Sequence, residues 1–181
     1  MAVAHKPTLN MEESVRLEQL FRAHHRRVLR AAYRITGNMS DAEDVAQSVF
    51  LRLSGAEQVV IDAAESYLFR AAINGALDLL RSRQRGQEVS LELASEVATS
   101  APASSPEQQL SSIEARRWLR QALATLPPRS AEIFVLRYIE GLDNREIARM
   151  LNASTVLVAV TLHQARAKLK KQFERNKRGI R

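Results

Sequence analysis

A segment without any lysine or arginine, residues 86–114, divides this chain of 181 residues into two parts. The segment carries five glutamates, and its centre, residues 98–106, consists entirely of alanine, serine, threonine and proline. Such a composition is typical of a flexible acidic linker. The parts on either side have roughly 85 and 70 residues, so each is close to the lower size limit of an independent core. The sequence therefore predicts two small domains rather than one large one.

Apolar residues recur at helical spacing in both parts, and the low glycine and proline content disfavours a turn-rich β architecture, so an all-α fold is predicted. In the first part, Ser40 and Glu43 have the spacing of a capping box at the start of a helix. The predicted helices cover residues 15–35, 40–53, 65–85, 113–126 and 130–139, with a loop over 54–62. The predicted domains cover 12–86 and 112–175, with a linker over 87–111 and tails over 1–11 and 176–181.

The second part ends in a helix-turn-helix pattern. Asp143 and Glu146 form a second predicted capping box before a short helix, and Ser154 or Thr155 caps the last helix. Residues 155–161 have the β-branched density of a strand. A helix is nevertheless predicted there, because one apolar stripe continues through Val158, Leu162, Ala165 and Leu169. In such a motif the second helix enters the major groove of DNA.

Composition excludes several other classes of protein. The chain has no cysteine, which rules out disulfides and thiolate metal sites. The longest uncharged stretch, residues 150–165, is too short and too polar to span a bilayer, and residues 1–10 lack the apolar run of a signal peptide. No phosphate-binding loop, nucleophile elbow or metal-ligand spacing is present. We therefore expect a cytoplasmic protein that is no enzyme, with no cofactor, metal, small-molecule substrate or membrane insertion.

The formal net charge of +7 is concentrated at one end of the chain. Residues 166–181 hold eight basic side chains and one acid, whereas the basic and acidic residues of the remainder cancel. A basic segment that follows a helix-turn-helix pattern is consistent with binding to nucleic-acid phosphates.

Four segments together resemble the extracytoplasmic-function (ECF) group of bacterial RNA polymerase sigma factors. Residues 41–53 (DAEDVAQSVFLRL) and 67–81 (YLFRAAINGALDLLR) resemble region 2 of that family. Residues 123–129 (LATLPPR) and 136–151 (LRYIEGLDNREIARML) resemble region 4. The resemblance implies a region 2 helical bundle and a region 4 helix-turn-helix domain. It also implies core RNA polymerase, through its β′ clamp helices and β flap, promoter DNA and an anti-sigma factor as partners.

The resemblance implies three sets of site residues. The polymerase-binding set is Asp41, Glu43, Asp44, Gln47, Ser48, Phe50 and Leu51. The set for the melted −10 element is Arg70, Asn74, Asp78, Arg81, Arg83 and Arg85. The set for the −35 element is Ser154, Thr155, Thr161, His163, Gln164, Arg166 and Lys168. Tyr67 and Phe69 are candidate stacking groups for bases, although a place in the core is the preferred interpretation of both.

The last helix departs from the family pattern, since Ala159, Thr161 and Gln164 are uncharged where basic residues are common in the family. Arginine readout of guanine is therefore missing from the middle of this helix. Gln164 is suited to adenine and Thr161 to a thymine methyl group. Two alternatives remain open. One is a sigma-like decoy that sequesters an anti-sigma protein without binding DNA, and the other is a conventional helix-turn-helix regulator.

Overall fold

The structure is a computed structural model that describes residues 11–54, 61–87 and 106–179. These residues form seven α-helices and contain no β-strand. The helices are α1 (Met11–Thr36), α2 (Met39–Ser54), α3 (Ile61–Gln87), α4 (Pro106–Ala124), α5 (Pro128–Tyr138), α6 (Asn144–Met150) and α7 (Thr155–Gly179). The predicted all-α fold is confirmed.

Helices α1, α2 and α3 pack against one another and form the first domain. Its core consists of small and branched apolar residues with almost no exposed surface, including Val28, Ala32, Ile35, Val49, Leu68, Ile73 and Leu77. Gly75 of α3 faces Val45 of α2 so closely that an added Cβ would lie 3.1 Å from the Val45 Cγ1 atom. The absence of a side chain at this position therefore lets the two helices approach.

Helices α5, α6 and α7 form the second domain, in which α5 and α6 both pack against α7. The predicted stripe of Val158, Leu162, Ala165 and Leu169 is buried in its core, which confirms the helical interpretation of residues 155–161. Helix α4 contacts α7 but also packs along α3 of the first domain. Helix α5 contacts α3 as well, so the two domains share an interface built on α3.

Several predicted boundaries were wrong. Helix α3 begins at Ile61, within the predicted loop, and α4 begins at Pro106, within the predicted linker; residues 55–60 and 88–105 lie outside the described residues. Ser40 does not cap α2, because the Asp41 backbone N–H donates instead to the side chain of Asn38 at 3.1 Å. An asparagine is as good a cap as a serine, and from Asn38 it satisfies an orphan N–H in the first turn of a helix that begins at Met39.

The caps of the last two helices agree with the sequence. The Asp143 side chain accepts from the backbone N–H groups of Arg145 and Glu146, and the Glu146 carboxylate accepts from the Asp143 N–H. The backbone hydrogen bonds to Asp143 lower the pKa of its carboxyl. At α7, the Ser154 Oγ atom accepts from the Leu157 N–H at 3.1 Å. These local contacts fix the turn between the two helices of the helix-turn-helix unit.

Two glycines give a matched test of this backbone. Gly141, in the turn between α5 and α6, has a φ of +78°, whereas Gly86 lies inside α3 with open space around it. We expect Gly141→Ala to lower the free energy of unfolding by about 1 kcal/mol, because the left-handed conformation is strained for alanine. Gly86→Ala should leave it unchanged or raise it by about 0.5 kcal/mol. Denaturant unfolding of both variants measures this, and equal effects would contradict the assignment of the turn.

Candidate functional site

The outward face of α2 carries most of the predicted polymerase-binding residues. Glu43, Asp44, Gln47, Ser48 and Leu51 are all exposed, and the Leu51 side chain is 64% exposed. They recur at helical spacing opposite the apolar side of α2, which is buried against the other helices of the first domain. The result is one continuous face that combines two carboxylates, two neutral polar groups and a large apolar side chain; we call it the α2 row.

Two residues of the predicted polymerase-binding set are not part of this row. Asp41 is buried, and both of its carboxylate oxygens accept from the guanidinium group of Arg83 on α3. Phe50 is also buried, with its ring 4.9 Å from that of Phe21 on α1. Both side chains point into the packing between helices, so in this structure neither faces outward as predicted, and their part in polymerase binding stays a prediction.

The predicted −10 residues Arg70 and Asn74 contact the second domain. The Arg70 Nε atom donates to the Glu132 Oε1 atom at 2.8 Å, and the Asn74 Nδ2 atom donates to the same oxygen at 3.2 Å. Glu132 lies on α5, and only 5% of its side chain is exposed. In this arrangement, therefore, two side chains predicted to meet DNA are held by a buried carboxylate of the helix-turn-helix domain.

A second ion pair joins the domains near the end of α5. The Arg34 Nη1 atom donates to the Glu140 Oε2 atom at 3.0 Å. Burial raises the pKa of the Glu140 carboxyl, and the positive charge of Arg34 opposes this effect without cancelling it. The other carboxylate oxygen of Glu140 is buried without a hydrogen-bond partner. The Glu140 carboxylate is thus only partly satisfied by its contact with Arg34.

The remaining −10 candidates lie along the C-terminal half of α3. Asp78 accepts from Arg81 at 2.7 Å, Arg83 holds Asp41, and Arg85 is exposed. The two aromatic candidates differ from each other. Phe69 is buried, as predicted, beneath the guanidinium group of Arg27. Tyr67 is 46% exposed, so the preferred interpretation of Tyr67 as a core residue was wrong.

Helix α7, the second helix of the helix-turn-helix unit and therefore the predicted recognition helix, exposes all but one of the predicted −35 residues, together with Ser154 directly before it. Ser154, Thr155, His163, Gln164, Arg166 and Lys168 are exposed. Only 9% of the Thr161 surface is exposed, so in this structure its side chain is not available to a thymine methyl group. The Lys168 ammonium donates to the Thr125 carbonyl oxygen at 3.0 Å, which ties α7 to the end of α4.

Sequence reasoning did not identify three exposed apolar residues at the start of α7. Val156, Leu157 and Val160 are 69%, 50% and 47% exposed. The helical periodicity predicts their exposure, because they lie outside the apolar stripe that begins at Val158. Glu132 was also missed, and no local pattern marks it, since its partners are 58 and 62 residues away along the chain.

Two further properties concern the described residues as a whole. Among residues 11–54, 61–87 and 106–179, no group of three or more histidine, aspartate or glutamate side chains is arranged to hold a metal ion. None of the helices formed by these residues has the length and hydrophobicity that a membrane crossing requires.

Two packed helical domains, the second of which contains a helix-turn-helix unit, place the chain in the all-α class. Comparison with known families is more specific. Residues 20–86 match Sigma-70 region 2, and residues 116–169 match Sigma-70, region 4. The two matches fall on the first and second domains in the order predicted from the sequence.

Individual relatives match along most of this chain. The ECF RNA polymerase sigma factor SigE of Mycolicibacterium smegmatis is 34% identical over 156 residues, which cover 84% of this chain and 60% of that protein. The ECF RNA polymerase sigma factor SigW of Bacillus subtilis is 28% identical, with coverages of 81% and 83%. The RNA polymerase sigma-E factor of Streptomyces avermitilis is 30% identical, with coverages of 95% and 89%. The chain belongs to the ECF sigma factors.

The pair Asp41–Arg83 can be distinguished from the α2 row by stability. We expect Asp41→Asn to lower the free energy of unfolding by about 2 kcal/mol, because it leaves a partly buried guanidinium without its counter-charge; this value allows for the screening of a half-exposed arginine. The control Asp44→Asn removes the same charge from an exposed position and should change it by less than about 0.5 kcal/mol. Thermal and urea unfolding measure both. If the two variants are equally stable, the pair makes no structural contribution.

Proposed function

We propose that this chain binds core RNA polymerase in the cytoplasm and directs transcription initiation at specific promoters, without catalysing a reaction itself. Its membership of the ECF sigma factors supports this function, and the α2 row is the observation that carries it. An exposed leucine beside two carboxylates on one helical face suits a basic partner that also has apolar surface. The β′ clamp helices are the proposed partner of this row, and the β flap is the proposed partner of the second domain.

Charge reversal on the α2 row tests the polymerase contact. We expect Asp44→Lys combined with Gln47→Lys to weaken binding to core polymerase at least tenfold, because two like charges then face a basic partner. Glu114→Lys, on the exposed side of α4, is the control and should bind normally. Fluorescence anisotropy with labelled protein gives the affinities, and run-off transcription on a promoter library gives the activity.

The outcomes of this experiment separate the functional alternatives. Normal binding by the double variant would show that the α2 row is not the interface. Core binding without any promoter-specific transcript would favour the decoy, which captures an anti-sigma factor instead of DNA. An anti-sigma factor is also the regulator that we propose for the main function, since the α2 row offers it an exposed leucine flanked by carboxylates.

We further propose that the closed arrangement of the two domains masks the −10 surface. Arg70 and Asn74 both hold Glu132, so they cannot contact extruded bases or the DNA backbone while α5 lies on α3. Promoter binding therefore requires the second domain to move away from the first. A ligand that binds only the open state shifts the population towards it, and polymerase, by holding the domains apart, is such a ligand.

Removal of the Glu132 charge tests this masking. We expect Glu132→Gln in the full chain to bind single-stranded −10 DNA about 5- to 30-fold more tightly, since a partly buried ion pair worth about 1–2 kcal/mol no longer holds the closed state. Glu114→Gln makes the same change of net charge at an exposed position and serves as the control. Fluorescence anisotropy measures DNA binding, and small-angle scattering measures the expansion of the chain. An equal effect of both variants would exclude masking by Glu132.

A further inference from the structure

The outward pole of the recognition helix is apolar. With about 3.6 residues per turn, Val156, Val160 and Ala167 of α7 lie on the side opposite to the buried Val158, Leu162 and Ala165. Val156 is 69% exposed and Val160 is 47% exposed. In a helix-turn-helix unit this is the side that faces the floor of the major groove. We call Val156, Leu157 and Val160 the valine–leucine row.

Charges surround this row without entering it. No charged residue occurs between Met150 and Ala165. Before this stretch, α6 exposes Arg145 and Arg149, and after it α7 exposes basic residues that begin with Arg166 and continue with Lys168, Lys170 and Lys171. The surface thus has a neutral apolar centre between two basic flanks.

We propose that the valine–leucine row reads the C5-methyl groups of thymines in the upstream promoter element, an inference that rests on the proposed promoter binding. The methyl group of thymine is the only apolar group that base pairs present in the major groove, and apolar side chains contact it there. The basic flanks match the two phosphate backbones that border the groove, and phosphate contacts fix the register of the helix. The chemistry of the row and its flanks therefore matches thymine-rich DNA.

The same surface fits a protein partner less well. Binding hot spots in protein interfaces are enriched in tryptophan, tyrosine and arginine. The outward pole of α7 between Thr155 and Ala165 carries none of these, and the aromatic ring of Phe173 packs against Trp118 instead. The row is also narrow, because small or polar residues, Thr155, Ala159, His163 and Gln164, border it.

The inferred upstream element has a definite composition. Thymines lie beneath Val156 and Val160, and Gln164, the next outward residue with paired hydrogen-bonding groups, contacts an adenine. No arginine or lysine is available over the centre of the element, so guanine is not required there. The element is therefore rich in A·T pairs.

Replacement of thymine by uracil tests the inference, because it removes one methyl group and leaves every hydrogen bond and phosphate in place. First, the full chain with core polymerase selects its upstream element from a randomised promoter library. Each thymine of that element is then replaced by deoxyuridine, and promoter affinity and run-off transcript are measured. We expect a loss of about fourfold for each contacted methyl group, the value of one buried apolar carbon.

Variants of the row complete the experiment. Val156→Ala with Val160→Ala should reduce the preference for thymine over uracil to less than twofold, and alanine favours the helix, so folding is retained. Lys170→Ala is the matched control; it should weaken binding to both templates equally and lower the salt dependence.

Each failure has a separate meaning. Equal binding of thymine and uracil templates by an active holoenzyme, or selection of no upstream sequence at all, would overturn the thymine-methyl inference alone. In the second case the row would be assigned to a protein partner. A chain that forms no holoenzyme with core polymerase would overturn the proposed function itself.

Discussion

The buried carboxylate of Glu132 is the contact between the two domains on which the proposed −10 surface depends. A carboxylate that is removed from water must be neutralised and hydrogen-bonded, or its burial is strongly unfavourable. Both of its donors, Arg70 and Asn74, belong to α3 of the other domain. One oxygen atom accepts from both, so separation of the domains releases all three side chains at once. Whether the proposed −10 surface is available therefore depends directly on how the two domains are arranged.

The parts of the structure that could be predicted from the sequence are those with local causes. The capping box at Asp143, the Ser154 cap and the stripe through Val158 depend on residues within one or two turns of helix, and all three are confirmed. The position of Asp41 could not be predicted in this way. Acids are favoured in a first helical turn whether or not they are exposed, and only the packing of α3 brings Arg83 to Asp41 from 42 residues away.

Helix α7 shows that a correctly predicted helical period does not by itself tell which of its polar residues are exposed. Thr161 lies three residues after Val158 and directly before Leu162, so the stripe that identified α7 as a helix also places Thr161 at its buried edge. The chemistry of the Thr161 side chain suits a DNA contact, but the rotation of the helix about its axis turns this side chain towards the core. The same rotation turns Val156 and Val160 outward, and it was available from the sequence alone.

In the proposed upstream interface, one set of α7 residues supplies affinity for DNA and another supplies sequence selectivity. This separation suits a protein that binds promoters only as part of a larger assembly. Phosphate contacts by the basic flanks are independent of sequence, and a few methyl contacts discriminate only modestly. When polymerase holds both domains over one promoter, however, the upstream contact becomes intramolecular and acts at a high effective concentration. A weak upstream interface is then sufficient. Under the masking that we propose, the open state also frees Arg70 and Asn74, so binding to polymerase and binding to −10 DNA would favour the same conformation and each would strengthen the other.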